Sequence, residues 1–303
     1  MKKIISVVLV LIMIFSLVAC VDSTKETLKK ASVGDKEDTS DKTSNPNHNA
    51  NNDAAPQQST LEENVLVDEQ GVKITVKSLE YDNIFGPSVK VAIENNSGKN
   101  LTFSVNDASV NGYMNNAFFY VDVANGKKAN DSITISEGDL ELCDIETIAD
   151  IAFSFHIIES DTYDTFLDTE IFKLETSAAE NYEYTFDDSG ELVYNENGIK
   201  IVIKGLAEDT ILGQSLVVYM ENNNNKDITV STQDVSVNGY MLTAMLYASM
   251  TAGNHYVGNL QFFTSELEEN DISEIENVEL SFHAYDSDTY NTIFDTDPIS
   301  INF

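Results

Sequence analysis

The chain has 303 residues, with 51 Asp and Glu against 17 basic residues, all of them Lys, and a formal net charge of −34 at pH 7. Such a surface repels nucleic acid and anionic headgroups, and a chain without Arg lacks the planar fork that phosphate and carboxylate recognition favours. Divalent cations and basic partners stay compatible with it.

In chain order, Lys2 and Lys3 precede an apolar run at residues 4–19 that only Ser6 and Ser16 interrupt. That run is shorter than the about 20 apolar residues of a bilayer-crossing helix. A basic start, an apolar middle and a small-residue end make an export signal. The run closes on Leu17-Val18-Ala19-Cys20, which resembles the lipobox of bacterial lipoproteins. The resemblance implies diacylglyceryl transfer to Cys20, cleavage just before it, and a lipid-anchored protein on the extracytoplasmic face of the membrane. Two acyl chains would hold it firmly, at roughly 0.8 kcal/mol per buried CH₂. The other cysteine is Cys143, so no intramolecular disulfide is expected once Cys20 is acylated.

Residues 1–19 are therefore expected to be a signal peptide. Residues 20–63, rich in Ser, Thr, Asp, Lys, Asn and Gln, are expected to be a lipidated, disordered tether through the wall layer. Beyond them the chain repeats itself. Gly71-Val72-Lys73-Ile74 recurs as Gly198-Ile199-Lys200-Ile201, 127 residues later. The same offset carries Glu94-Asn95-Asn96 onto Glu221-Asn222-Asn223. It also carries Ser109-Val110-Asn111-Gly112-Tyr113-Met114 onto Ser236-Val237-Asn238-Gly239-Tyr240-Met241, and Ser154-Phe155-His156 onto Ser281-Phe282-His283. Residues 64–176 and 191–303 align without a gap and share 42 of 113 positions, which is a duplication. Residues 177–190 read as a linker.

Each copy has the period-two alternation of half-buried strands, as in Val72, Ile74 and Val76 against Lys73, Thr75 and Lys77. Further strands are predicted at residues 89–93, 101–105, 118–123, 132–136, 148–158 and 171–174, with a tight turn at Asn111-Gly112 and a short helix within 138–145. Seven or eight short strands in about 110 residues predict a β-sandwich. The fold class is therefore all-β: two tandem immunoglobulin-like β-sandwich domains, each with one short helix. The Ile-Glu-Asn-Asn-like strand end, the Ser-Val-Asn-Gly-Tyr turn and the Ser-Phe-His strand resemble the immunoglobulin-like, telokin-like domains of lipoproteins from low-GC Gram-positive bacteria. That resemblance implies fold and surface display and no particular chemistry.

Candidate site residues cluster after the long penultimate strand. Glu159, Asp161, Asp164 and Asp168 alternate with hydroxyl residues in the first copy, and Asp286, Asp288, Asp295 and Asp297 do so in the second. Hard oxygen ligands of this kind suit Ca²⁺, although the EF-hand spacing is missing. The structural alternative is a hairpin turn in which Asp and Ser bond the local backbone. His156 and His283 read as satisfied strand histidines, because His48 and His255 supply no plausible zinc set. Cys143 reads as a small buried side chain. Tyr113, Met114, Tyr240, Met241, Met245, Leu246, Tyr247 and Met250 read as core, or, if exposed, as a partner-binding patch. No phosphate-cradling loop, nucleophile elbow or zinc-protease motif is found. The expectation is a non-enzymatic surface module of unidentified ligand, binding or spacing a protein or wall component. Possible Ca²⁺ is its only cofactor, a calcium-dependent module is the second reading, and an extracellular hydrolase is the third.

Overall fold

A computed structural model describes residues 28–33, 58–210 and 213–303. The expected export signal at residues 1–19 and Cys20 lie outside the described residues. The architecture is all-β and sandwich-like. After β1 (Ser32–Val33), the first copy runs β2 (Asn64–Glu69), β3 (Val72–Glu80), β4 (Ser88–Asn95), β5 (Leu101–Val110), β6 (Tyr113–Met114), β7 (Tyr120–Val123), β8 (Lys127–Thr134), α1 (Glu137–Leu142), β9 (Asp150–Glu159), β10 (Thr165–Asp168) and β11 (Phe172–Glu175). The second copy repeats this order as β12 (Glu191–Glu196), β13 (Ile199–Thr210), β14 (Gly213–Asn222), β15 (Ile228–Val237), β16 (Tyr240–Met241), β17 (Tyr247–Met250), β18 (His255–Phe263), α2 (Thr264–Glu269), β19 (Asn277–Asp286), β20 (Thr292–Asp295) and β21 (Ile299–Asn302). The described residues thus hold ten strands per copy where alternation alone predicts seven or eight. The additions are β2 and β12 at the start of each copy, two-residue β6 and β16, and the strands β10 and β20 inside the acidic segments.

In each copy a four-stranded sheet faces a second sheet built on the long hairpin partners. The pairs are β2-β3-β4-β8 against the strands around β5 and β9, and β12-β13-β14-β18 against those around β15 and β19. Inward-pointing residues from both sheets make the cores. Ile74, Ile93, Phe103, Phe153 and Phe155 are fully buried in the first copy, and Phe262 and Phe282 in the second. The Asn-Gly turns take left-handed φ at both residues, +52° and +83° at Asn111-Gly112 and +49° and +84° at Asn238-Gly239. Asn tolerates that region and Gly prefers it, which is why the dipeptide closes a two-residue hairpin. Each asparagine amide then clamps the next crossing. Asn111 Nδ2 donates to Thr147 O, while its Oδ1 accepts from the Ala149 and Asp150 amides. Helix α1 starts where the Ser136 hydroxyl accepts from the Asp139 amide at 3.3 Å. Cys143 closes that helix and is buried, and burial pushes its thiol up to about 12.

The two copies share one sheet. β18 pairs in parallel with β6 through His255 and Tyr113, giving a ten-stranded sheet in the order β10-β9-β5-β6-β18-β14-β13-β12, with β7 and β11 attached. The His255 amide donates to Gly112 O at 2.9 Å. The segment read as a linker is part of this junction. It ends on Asp187-Asp188-Ser189-Gly190, but its middle carries Tyr182, Tyr184 and Phe186, which pack over the joint. Tyr113 lies 5.8 Å from Tyr184, 5.8 Å from Phe186 and 4.9 Å from His255, the last pair stacked. Phe186 stacks on Tyr219 at 5.1 Å, under the Lys204 ammonium. Val202, Val217 and Val257 join the same buried cluster, where the first copy carries Thr75, Lys90 and Asn130. The face that the junction covers in the second copy is apolar at these positions, and its counterpart in the first copy is polar.

The junction has a pH dependence. Burial pulls the His255 imidazole below its ordinary value, against Glu221, which favours the charged form, and with Lys200, which opposes it. The unfolded histidine takes up a proton below about 6.5 and the docked one resists. Stability from this group is therefore complete above about 6.5 and declines as pH falls toward the docked value. Melting curves between pH 8 and 5 are expected to show that decline, and His255→Gln to flatten it. Equal slopes in the two proteins would refute the assignment.

The stretch read as tether also needs correction where it is described. Lys29 exchanges two backbone hydrogen bonds with Leu206, both at 2.9 Å, and Ser32 and Val33 pair with Asn302 and Ile301. Ser59 and Leu61 are buried against the first copy. Low apolar content argues against an independent core, but an edge strand needs only backbone groups, so composition is blind to it.

Candidate functional site

The acidic segments form hairpins between β9 and β10 and between β19 and β20. Glu159 is ion-paired with Lys99, and its amide donates to Asp164 O at 2.9 Å. Asp168 accepts from His156 Nδ1 at 2.5 Å, and Asp295 accepts from His283 Nδ1 at 2.6 Å. Asp286 is buried, bonds the Asp288 and Thr289 amides at 3.1 and 2.9 Å, and meets Lys226 at 2.8 Å. Lys226 and those amides hold its carboxyl well below the usual carboxylate range. Asp161, Asp164, Asp288 and Asp297 are exposed. Four of the eight carboxylates therefore turn to different partners and four stay exposed, and among the described residues no three His, Cys, Asp or Glu side chains gather as a metal site. The geometry is that of the hairpin turn, with Tyr163 and Tyr290 at φ of +65° and +58° at its tip.

What the register does bring together is a row across the outer face of the second sheet. In the first copy Tyr120 pairs with Ser104, Ser104 with His156, and His156 with Asp168. In the second copy Tyr247 pairs with Ser231, Ser231 with His283, and His283 with Asp295. Cross-strand partners point to the same side of a sheet, so each row lies on one face. All four residues are identical in the two copies, although only 42 of 113 aligned positions are. Tyr and Asp are exposed, and Ser and His half-buried, in both rows. Beside each row a threonine bonds a serine, Thr102 with Ser160 at 2.8 Å and Thr229 with Ser287 at 3.0 Å. The second copy adds Tyr285, whose hydroxyl meets that of Tyr247 at 2.5 Å and whose ring stacks on Tyr290 at 5.9 Å. Ile158 takes its place in the first copy.

The histidines were legible as strand residues, but their aspartate partners were not. Asp168 and Asp295 lie twelve residues away, and only the hairpin register joins them. A partial signal lies in the duplication itself, since all four row positions are among the 42 that the two copies share.

The Tyr and Met stripe divides. Tyr113, Leu246 and Met250 are buried as expected. Tyr240 is 51% exposed, Met241 64%, Met245 70% and Tyr247 57%, which corrects the core reading for these four. The second copy covers Tyr113 on β6, whereas among the described residues Tyr240 and Met241 on β16 stay open; Met245 and Tyr247 share their exposure with Phe118 and Tyr120, their counterparts in the first copy.

No protein-family model matches the sequence, and no curated protein matches it. A crystal structure of red sea bream transglutaminase is similar in part, at 13% identity and a TM-score of 0.22, covering 72% of this chain and 29% of that one. This chain thus spans less than a third of that structure's length, and so slight a likeness carries no inference about activity. Among the described residues no helix is long and apolar enough to cross a membrane.

Proposed function

We propose that the chain is an exported lipoprotein, acylated at Cys20 on the extracytoplasmic side of the membrane, whose two sandwiches bind a neutral, repeating, hydroxyl-rich polymer of the glycan class without reacting with it. One observation carries the reading: the Tyr-Ser-His-Asp row keeps all four residues in both copies at solvent-facing positions. Stability does not account for this. Open surface positions tolerate change within about 0.5 kcal/mol, and exposed ion pairs contribute about 0–1 kcal/mol. A ligand does account for it. Tyrosine offers an apolar face to sugar C–H groups, and serine, threonine and an aspartate-oriented imidazole offer hydrogen bonds to hydroxyls. The net charge of −34 disfavours anionic polymers, and two like faces suit a ligand that repeats.

Ser, His and Asp in one row raise the question of nucleophilic catalysis. The Ser104 hydroxyl bonds the His156 carbonyl at 3.1 Å, which turns it toward the backbone and away from the imidazole. The row also lies on an open sheet face, where water cannot be excluded from a reacting centre. Both features favour binding over reaction.

Binding of residues 28–303 to purified wall glycan strands, measured by sedimentation, tests the proposal. His156→Ala or His283→Ala alone is expected to weaken binding about tenfold, and the double change by about 10²-fold or more through lost avidity. Undiminished binding by a folded double variant would remove the rows from the site.

A further inference from the structure

Residues 28–33 strap the second copy, with Leu28 also packed against the buried cluster that continues into the first. Lys29 makes its two backbone bonds to Leu206 on β13, and Ser32 and Val33 extend the opposite sheet beyond β21. The segment thus crosses from one sheet of that sandwich to the other. Two residues of the second copy are fitted to it. A Cβ on Gly205, whose φ is +144°, would lie 2.5 Å from Lys29 O and 3.0 Å from Leu28 Cβ. The first copy has Ser78 there. Glu274 pairs with the Lys29 ammonium at 2.9 Å, and the first copy has Thr147 there. Ala31 adds an apolar contact with the second core. Backbone pairing, a glycine that admits it and a matched carboxylate are independent features that converge on one segment.

We infer that this strap sets the orientation of the protein at the membrane, with the second copy facing the bilayer and the first copy outward. The inference rests on the lipid anchor at Cys20. Eight peptide steps separate Cys20 from Leu28, and fully extended they span at most about 29 Å. The second copy is held within that distance of the headgroups. Without the strap, the next described anchorage would be Ser59, buried on the first copy, and 39 steps would allow up to about 140 Å. The order in the sequence is therefore the reverse of the order in space: the copy encoded second is nearer the membrane. The first copy is presented outermost, with its Tyr120-Ser104-His156-Asp168 face.

Two measurements on the full acylated chain test this. In detergent, the Lys29 and Leu206 amides are expected to exchange at least tenfold more slowly than in Gly205→Val. Lys29→Pro, which removes one of the two donors and lies outside the sandwich, gives the same comparison for Leu206 if Gly205→Val does not fold. In vesicles with acceptor-labelled headgroups, energy transfer is measured from dyes at Ser273→Cys and at Glu146→Cys, which are equivalent positions of the two copies; buried Cys143 is not labelled. Transfer is expected to be several-fold stronger from residue 273, and Gly205→Val or Lys29→Pro to abolish the difference. Equal transfer from bound protein, or stronger transfer from residue 146, overturns the orientation. Protected amides in a chain that does not partition into vesicles would instead overturn the anchor, and the orientation with it, while the strap itself stands.

Discussion

Replacing Asn222 by Leu is expected to destabilise the second copy by about 3–5 kcal/mol, enough to unfold much of it at 37 °C, because several buried polar groups lose their partner at about 1–3 kcal/mol each. Asn222 ends β14 inside the core, 1% exposed. Its Nδ2 donates to Lys226 O at 2.9 Å and to Met250 O and Thr251 O at 3.1 Å, while its Oδ1 accepts from the Asn224 amide at 3.0 Å. One amide thus ties together the β14–β15 turn and the end of β17. Leucine has similar volume and none of these bonds, so the test isolates polar satisfaction from packing. Asn95 does the same work in the first copy, donating to Lys99 O at 2.8 Å and Val123 O at 2.7 Å. Asn223→Leu, one residue along at an exposed position, is expected to change stability by less than about 0.5 kcal/mol. Urea titrations of the two variants should separate them clearly. Similar midpoints would mean that the buried amide is not the tie.

Tyr113→Ala is expected to cost about 3–5 kcal/mol, the range for removing a large buried aromatic side chain. It should also split a single thermal transition into two. The ring fills the joint between the copies, against Tyr184, Phe186 and His255, and burial pushes its hydroxyl up to about 12. Without it, the parallel pairing of β6 with β18 keeps its backbone bond but loses the apolar seal that couples the cores. Tyr240→Ala is the matched control. It changes the same residue in the same turn of the second copy, where the ring is about half exposed, and should shift the transition little. Calorimetry showing equal shifts for Tyr113→Ala and Tyr240→Ala would mean that the joint is not held by this ring.

Much of the fold can be read from the residues alone. The gapless offset of 127 predicts that every element of one copy has a counterpart in the other, and β2 to β11 recur as β12 to β21 at that spacing. Alternation at Val72, Ile74 and Val76 marks the buried side of β3, and Asn111-Gly112 marks the turn between β5 and β6, because side-chain period and backbone handedness are local properties. The edges of the reading lie where contact is remote. Asp168 and Asp295 read as candidate oxygen ligands in sequence, and only the hairpin register sets each beside a histidine. Tyr113 and Tyr240 occupy identical local sequence, yet one is buried and the other open, since only the neighbouring copy distinguishes them.

The sequence by itself determined the all-β class, the duplication, the buried cores and the acidic, lysine-only surface, all of which follow from local pattern and composition. Only the tertiary structure decided that residues 28–33 belong to the second copy, that residues 182–186 seal a junction, and that four separate strands align the Tyr-Ser-His-Asp rows. Those features are made by backbone groups and side chains far apart in the chain. Their partners are chosen by which surfaces remain uncovered once each sandwich has closed.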